Sequence, residues 1–212
     1  GVPLQFTPKD FNVERKAYFG TTKSTFDVCF VAFNYDGNGY SKGYDLFLEA
    51  AELLLQHDPN SQFQFHVVGN YNKSTIPSDL TDEHLTFHGV RKRDWLMNFY
   101  HKMDIAIAPC RPNCLYHGAY DGWMCFEQSI FEVAMFEADA MDVNQNNRFY
   151  QADEFVKIGL NAEDIAKKLH FYYQNVDMLY SLAKKGRKKT EIVCGLEERT
   201  KKILSAIDRA RK

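Results

Sequence analysis

Val28-Cys-Phe-Val-Ala-Phe-Asn-Tyr-Asp-Gly-Asn-Gly-Tyr-Ser-Lys-Gly-Tyr-Asp-Leu-Phe-Leu-Glu-Ala-Ala-Glu-Leu-Leu-Leu-Gln56 is the stretch that decides the fold. Residues 28–33 form a short apolar, aromatic-rich run, which predicts a buried strand. Residues 44–56 place Leu46, Phe47, Ala50, Leu53 and Leu54 on one face, which predicts an amphipathic helix. The polar loop between them carries Gly37, Gly39 and Gly43 and ends on Lys42-Gly43. Strand, glycine-rich loop and helix, in that order, open a βαβ unit.

The same alternation continues outward. Apolar runs predict strands at 63–68 (ending at Gly69), 86–88 (ending at Gly89), 105–108 (stopped by Pro109), 133–136 and 155–158. Helical spacing predicts helices at 94–102, 126–131, 176–184 and 197–210, and Asn161 with Asp164 predicts a capped helix start. Strands separated by helices imply an α/β, Rossmann-like, doubly wound and mostly parallel sheet with helices on both faces. The expected organisation is a linker over 1–25, the domain over 26–195, and a terminal helix over 196–212.

Bulk composition bounds the function. The 212 residues carry a net charge of −2, so no global basic field draws the chain to nucleic acid. Hydrophobic residues make up 45% and aromatics 15%, enough for a tight core. The five cysteines are odd in number and irregularly spaced, which fits a reduced cytoplasmic setting without a disulfide framework. Cys110 and Cys114 have no second Cys/His pair at a zinc spacing, so no metal site is expected. No apolar run approaches the ~20 residues of a membrane span.

Ligands of open α/β sheets sit beyond the carboxyl ends of the strands, so the loops 34–43, 69–84, 89–92 and 109–126 are the ones to search. In the first, Lys42 and Gly43 stand at the mouth of a helix, whose amides form an anion site; a flexible turn with a solvated lysine is the plainer reading. In the last, Asp121-Gly122-Trp123 leads to Glu127, and ionised carboxylates there suit hydroxyl recognition; Glu127 could equally cap its helix. Arg91, Lys92 and Arg93 follow Gly89 and Val90, where one could meet a phosphate or stack on a base. His66 and His88 read as satisfied core histidines, and His117 as a weaker site candidate. Lys184-Lys-Gly-Arg-Lys-Lys189 reads as a solvated helix end, and Asn144, Asn146 and Asn147 as loop chemistry.

The ordered set of motifs resembles the C-terminal, donor-binding domain of a GT-B fold retaining glycosyltransferase, group 1 or family 4-like. Gly1–Pro8 resembles the "NGVD…F.P" segment that enters that domain. Ser41-Lys42-Gly43-Tyr44-Asp45 with Glu49-Ala50 resembles "KG.D…EA". Phe65–Gly69 resembles "l.ivG", Leu85–Val90 "v.f.G.v", and Met103–Pro109 "aDi.v.PS". Glu127–Phe136 followed by Asp139 resembles "EAmacGvpvi.tD", and Tyr150–Ile158 with Ala162–Leu169 the last strand and helix.

The resemblance implies that this domain holds a nucleotide diphosphate-sugar. Lys42 would meet the diphosphate, Glu127 the ribose and Asp121 the donor sugar, making these three the catalytic set. Gly89 and Val90 would line the base pocket, with Gly43, Arg91, Gly122 and Trp123 completing the donor site. No metal or other cofactor is implied, because basic side chains and helix N-termini stabilise the departing diphosphate. The implied reaction is transfer of a hexose-type sugar, with retention, to a glycan or other acceptor. The partners are then the donor, the acceptor and an N-terminal acceptor-binding domain, with peripheral membrane contact through the parent protein as a further expectation. Without that domain the chain is expected to be inactive alone.

Departures from the pattern carry the alternative of a degenerate, non-catalytic binding or scaffold domain. The first loop opens on Val31-Ala-Phe-Asn34 and lacks the family's Arg, and Ala119 stands where the first acid of a Glu-x7-Glu pair is usual. Glu132 replaces a Gly, and Met124 a Pro.

Overall fold

The computed structural model describes residues 16–76, 80–111, 127–138 and 153–210. Six strands form one sheet: β1 (Phe26–Val31), β2 (Phe63–Val68), β3 (Leu85–Gly89), β4 (Ile105–Ala108), β5 (Ala134–Ala138) and β6 (Val156–Ile158). Their order is β3-β2-β1-β4-β5-β6 and every pairing is parallel. The chain winds outward from β1 to one edge and then from β4 to the other. The topological switch therefore lies between β1 and β4, where such sheets place ligands.

Two apolar layers sandwich the sheet. On one face α1 (Tyr44–His57) and α3 (Ala162–Gln174) cover Val28, Phe30, Phe65, Ile107 and Phe136. On the other, α2 (Arg93–Tyr100) and the helical turn at 127–129 cover Cys29, Val31, Val68, Ala106 and Met135. Strand β1 is buried on both faces, as a central parallel strand must be. Each wholly buried Phe, such as Phe30, Phe47 and Phe65, contributes roughly 1.5–3 kcal/mol.

β1 begins two residues earlier than the apolar run suggested. Asp27 interrupts the pattern, but it is satisfied inside the strand by Lys23 Nζ (2.6 Å), Thr25 Oγ1 (2.8 Å) and His66 Nε2 (2.7 Å). Phe33, expected in the strand, lies beyond it and is exposed. Residues 16–25 pack on the domain body: Lys16 Nζ donates to the Tyr100 and Met103 carbonyls, and Phe19 packs on Phe26 and Tyr173.

α4 (Val176–Cys194) runs through the basic stretch expected to end it, and α5 (Leu196–Ala210) follows. Gly186 is not a stop. A Cβ there would lie 2.8 Å from the Glu154 carbonyl, so the glycine lets the helix approach the turn before β6. Its neighbours are largely paired: Lys185 with Asp153 (2.7 Å), Arg187 with Glu191 (2.8 Å) and Lys189 with Glu154 (3.7 Å). Asn161 caps α3 as expected, accepting from the Asp164 amide at 2.8 Å; Asp164 reaches back to the Gly159 amide at 2.6 Å.

Candidate active site at the carboxyl edge

The loop after β1 is built by its own polar side chains. Asp36 accepts from the amides of Gly39 (2.7 Å) and Ser41 (2.6 Å), and Asn34 Oδ1 accepts from Gly39 as well (3.0 Å). Burial opposes ionisation of Asp36, but these amides outweigh it and hold its carboxyl below the usual range. Asn70, on the loop after β2, pairs with the Asn34 backbone through both ends of its amide (2.6 and 3.0 Å). The loop closes on one 3₁₀ turn, Tyr40–Lys42, bracketed by Gly39 and Gly43, both at φ 74°. Only glycine adopts that conformation without strain.

Lys42 is not the solvated lysine of the plainer reading: its residue is 2% exposed, and Nζ sits 5.7 Å from the Tyr35 ring centroid. Gly43 starts α1 with no side-chain cap. The lysine and the positive end of the helix therefore share one spot, an arrangement suited to an anion. Gly43 also has no room for a side chain, since a Cβ would meet the Pro109 carbonyl at 2.1 Å. That contact brings the loop after β4 against the loop after β1, across the switch point.

Arg111, which sequence reasoning missed, fastens the two loops. Its amide donates to the Ser41 carbonyl (3.1 Å), its guanidinium forks onto Asp45 (2.7 and 2.6 Å), and it stacks 3.7 Å from the Tyr40 ring centroid. The only signal in the sequence is its place two residues after the strand-ending Pro109.

Glu127 opens the helical turn before β5 and is half-buried. Burial pushes its carboxyl above the usual range, and the positive charge of Arg93 partly offsets this. A carboxylate held at a desolvation cost beside a cation is a candidate for binding hydroxyls. Gly89 ends β3 at φ 68°, with open space where a Cβ would stand, and Val90 is 65% exposed. Arg91 stacks on Trp95, 5.0 Å from its ring centroid. Lys42, Gly43, Glu127, Gly89, Val90 and Arg91 thus all stand on loops at the carboxyl edge or at the helix starts that follow them. Asp121, Gly122 and Trp123 lie outside the described residues, as do His117 and the asparagines at 144, 146 and 147.

His66 and His88 are satisfied in the fold. His66 bridges Asp27 (2.7 Å) and His88 (3.1 Å). They floor a cavity of about 500 Å³ beside Trp95, Asn98 and Lys102. Lys23 and Thr25 before β1 also line it, as does Met103 before β4, so it lies toward the amino ends of the strands.

A parallel sheet with this strand order defines a Rossmann-like α/β domain, and the turn at its switch point is suited to an anion. The profile of the family described as "Glycosyl transferases group 1" matches residues 26–138, just over half of the chain, and the protein belongs to that family. Solved structures share the fold. The C-terminal domain of a glycosyl transferase group 1 family protein (LpcC) from Francisella tularensis is 16% identical with a TM-score of 0.58, over 80% of this chain and 85% of that one. HepE from Anabaena, solved with UDP and glucose, is 14% identical with a TM-score of 0.62, over 86% of this chain and 48% of that one. A variant of S. aureus TarM, solved with fondaparinux, α-GlcNAc-glycerol and UDP, is 14% identical with a TM-score of 0.64, over 89% and 37%. The chain thus spans less than half the length of HepE and TarM, and most of the isolated LpcC domain. No curated protein matches the sequence. Among the described residues, no helix is long and apolar enough to cross a membrane.

Proposed function

We propose that the chain is the donor-binding half of a retaining glycosyltransferase, taking a hexose-type sugar from a nucleoside diphosphate and passing it to a glycan or other acceptor. The observation that carries this reading is Lys42, buried in a glycine-bracketed turn at the uncapped start of α1. Lys42 and the α1 amides would hold the diphosphate and stabilise the charge that develops as it leaves. That is a role for side chains and backbone, with no cofactor in the proposal. Glu127 would accept the ribose hydroxyls, with the base over Gly89, Val90 and Arg91, and Asp121 would contact the sugar. The sugar would pass through an oxocarbenium-like transition state. The UDP held by HepE and TarM supports a uridine donor as the first to test. The reading places the chain in the cytoplasm, paired with an acceptor-binding domain that completes the cleft.

A second reading, a binding domain of the same fold without catalysis, is favoured by one observation: the first loop opens on Val31-Ala-Phe-Asn34, without the Arg that the resemblance leads one to expect. Calorimetric titration of the chain with UDP, GDP, ADP and their common sugar conjugates tests the donor reading. Binding of one nucleotide, weakened in Lys42→Ala and lost in Glu127→Ala, supports it. No binding at millimolar nucleotide overturns it. Sugar transfer by the full-length protein would exclude the non-catalytic reading.

A further inference from the structure

Three large aromatic residues stand exposed within eight positions of the first loop: Phe33 (48%), Tyr35 (46%) and Tyr40 (55%). Phe33 and Tyr35 lie side by side, with ring centroids 4.9 Å apart and planes inclined at 48°. The backbone that carries them is fixed. Asn34, between the two rings, is bound at its amide, its carbonyl and its side chain, by Asn70 and Gly39. Asp36, one residue on, holds two further amides. Exposed rings on a pinned loop lose little conformational freedom when something covers them, and preorganisation of that kind favours binding.

We infer that Phe33 and Tyr35 form a stacking platform for a pyranose ring of the acceptor glycan. The ring identity follows from position and chemistry. Lys42 Nζ lies 5.7 Å from the Tyr35 ring centroid, so the platform borders the anion turn. The negative π face of an aromatic ring attracts the weakly positive C–H face of a sugar, while hydroxyls at the sugar's rim stay in water. Phe33 has no charge to offer a phosphate, and its exposed ring has no core to fill. The platform deepens the donor-half reading and rests on it only in assigning the sugar to the acceptor.

The test uses this chain with free tetrasaccharides of glucose, mannose and N-acetylglucosamine, followed by saturation-transfer NMR and by the ring resonances of labelled Phe and Tyr. One saccharide class is expected to bind, shifting the Phe33 and Tyr35 rings. Phe33→Ala should weaken it about tenfold and Phe33→Trp should preserve it. UDP affinity of Phe33→Ala should stay within about twofold. Absence of binding by every saccharide overturns the platform, as does binding that Phe33→Ala leaves unchanged. So does a Phe33→Ala variant whose only change is in self-association, which would make the rings a contact between copies. Nucleotide binding without saccharide binding sinks the platform alone; saccharide binding with no binding of UDP, GDP or ADP sinks the donor reading and, with it, only the assignment of the sugar to the acceptor.

Discussion

Arg111 grips Asp45 with both terminal nitrogens of its guanidinium, at 2.7 and 2.6 Å, and so ties the loop after β4 to the first turn of α1. The pair crosses the switch point of the sheet: Asp45 follows Lys42 by three residues, and the Arg111 amide donates to the carbonyl of Ser41, the residue before Lys42. A fork of this kind adds geometry to charge, which a point-charge ammonium does not supply. Arg111→Lys is therefore expected to lose about 1 kcal/mol of stability in urea unfolding. It should also weaken diphosphate binding several-fold, because the turn presenting Lys42 loosens. Unchanged nucleotide affinity in Arg111→Lys would show that the clamp does not set the turn.

Glu127 is held at a cost. Its carboxyl is pushed above the usual range in the fold, so above that range the folded state carries a buried charge that the unfolded chain leaves in water. Raised folded values make stability fall as pH rises through the ordinary Glu value toward the folded one. Glu127→Gln should therefore melt higher than the parent at pH 7, with the gain vanishing at acid pH, while nucleotide binding is lost. Thermal unfolding at pH 7 and pH 4 checks the first part and calorimetry the second. A variant that melts lower at pH 7 would make Glu127 a structural residue.

His88 gives the opposite slope. Burial, with the charges of His66 and Arg91, lowers His88 to about 4. The unfolded chain takes up a proton near the ordinary His value that the folded chain refuses until about 4, so stability falls as pH drops through that window. Burial disfavours the Asp27 carboxylate, but His66 and Lys23 outweigh it and hold it at about 2. Its contribution is lost only below the ordinary Asp value. Melting temperatures are expected to fall between pH 7 and pH 4.5 in the parent and to fall less in His88→Gln. Parallel slopes in the two proteins would remove His88 from the account.

How much of this was legible in the sequence depended on where each residue finds its partners. β2 and β4 match the sequence reading residue for residue: β4 is an unbroken apolar run stopped by Pro109, and β2, though Gln64 and His66 interrupt it, keeps Phe63, Phe65, Val67 and Val68 buried and ends at Gly69. β1 was displaced by two residues, because Asp27 looks like a loop residue until Lys23, Thr25 and His66 are seen around it. α4 was cut short at a glycine whose reason is a carbonyl on another element, Glu154. Lys42 and Glu127 were marked by motif order, but the burial of the one and the raised carboxyl of the other belong to tertiary structure. Arg111 was illegible because its partner Asp45 lies 66 residues away. An irregular loop carries no periodicity to announce such a pairing.

Glu132 shows a departure from the family pattern resolved in the fold. The resemblance puts a Gly at this position; the Glu132 backbone takes φ 54°, the one positive value among the described non-glycine residues. The conformation costs a non-glycine residue about 1 kcal/mol or more. The side chain offsets that cost: it is almost wholly buried, accepts from the Tyr18 hydroxyl, and lies 3.6 Å from Arg187. Truncation and strain can be separated here. Glu132→Ala keeps the strained backbone, strands the Tyr18 hydroxyl and leaves Arg187 with Glu191 alone, so it is expected to lose about 2 kcal/mol in urea unfolding. Glu132→Gly loses the same contacts but relieves the backbone, and should be more stable than the alanine variant by about 1 kcal/mol. If the glycine variant is the less stable of the two, the positive φ is not the source of strain, and the flexibility glycine gives the unfolded chain dominates.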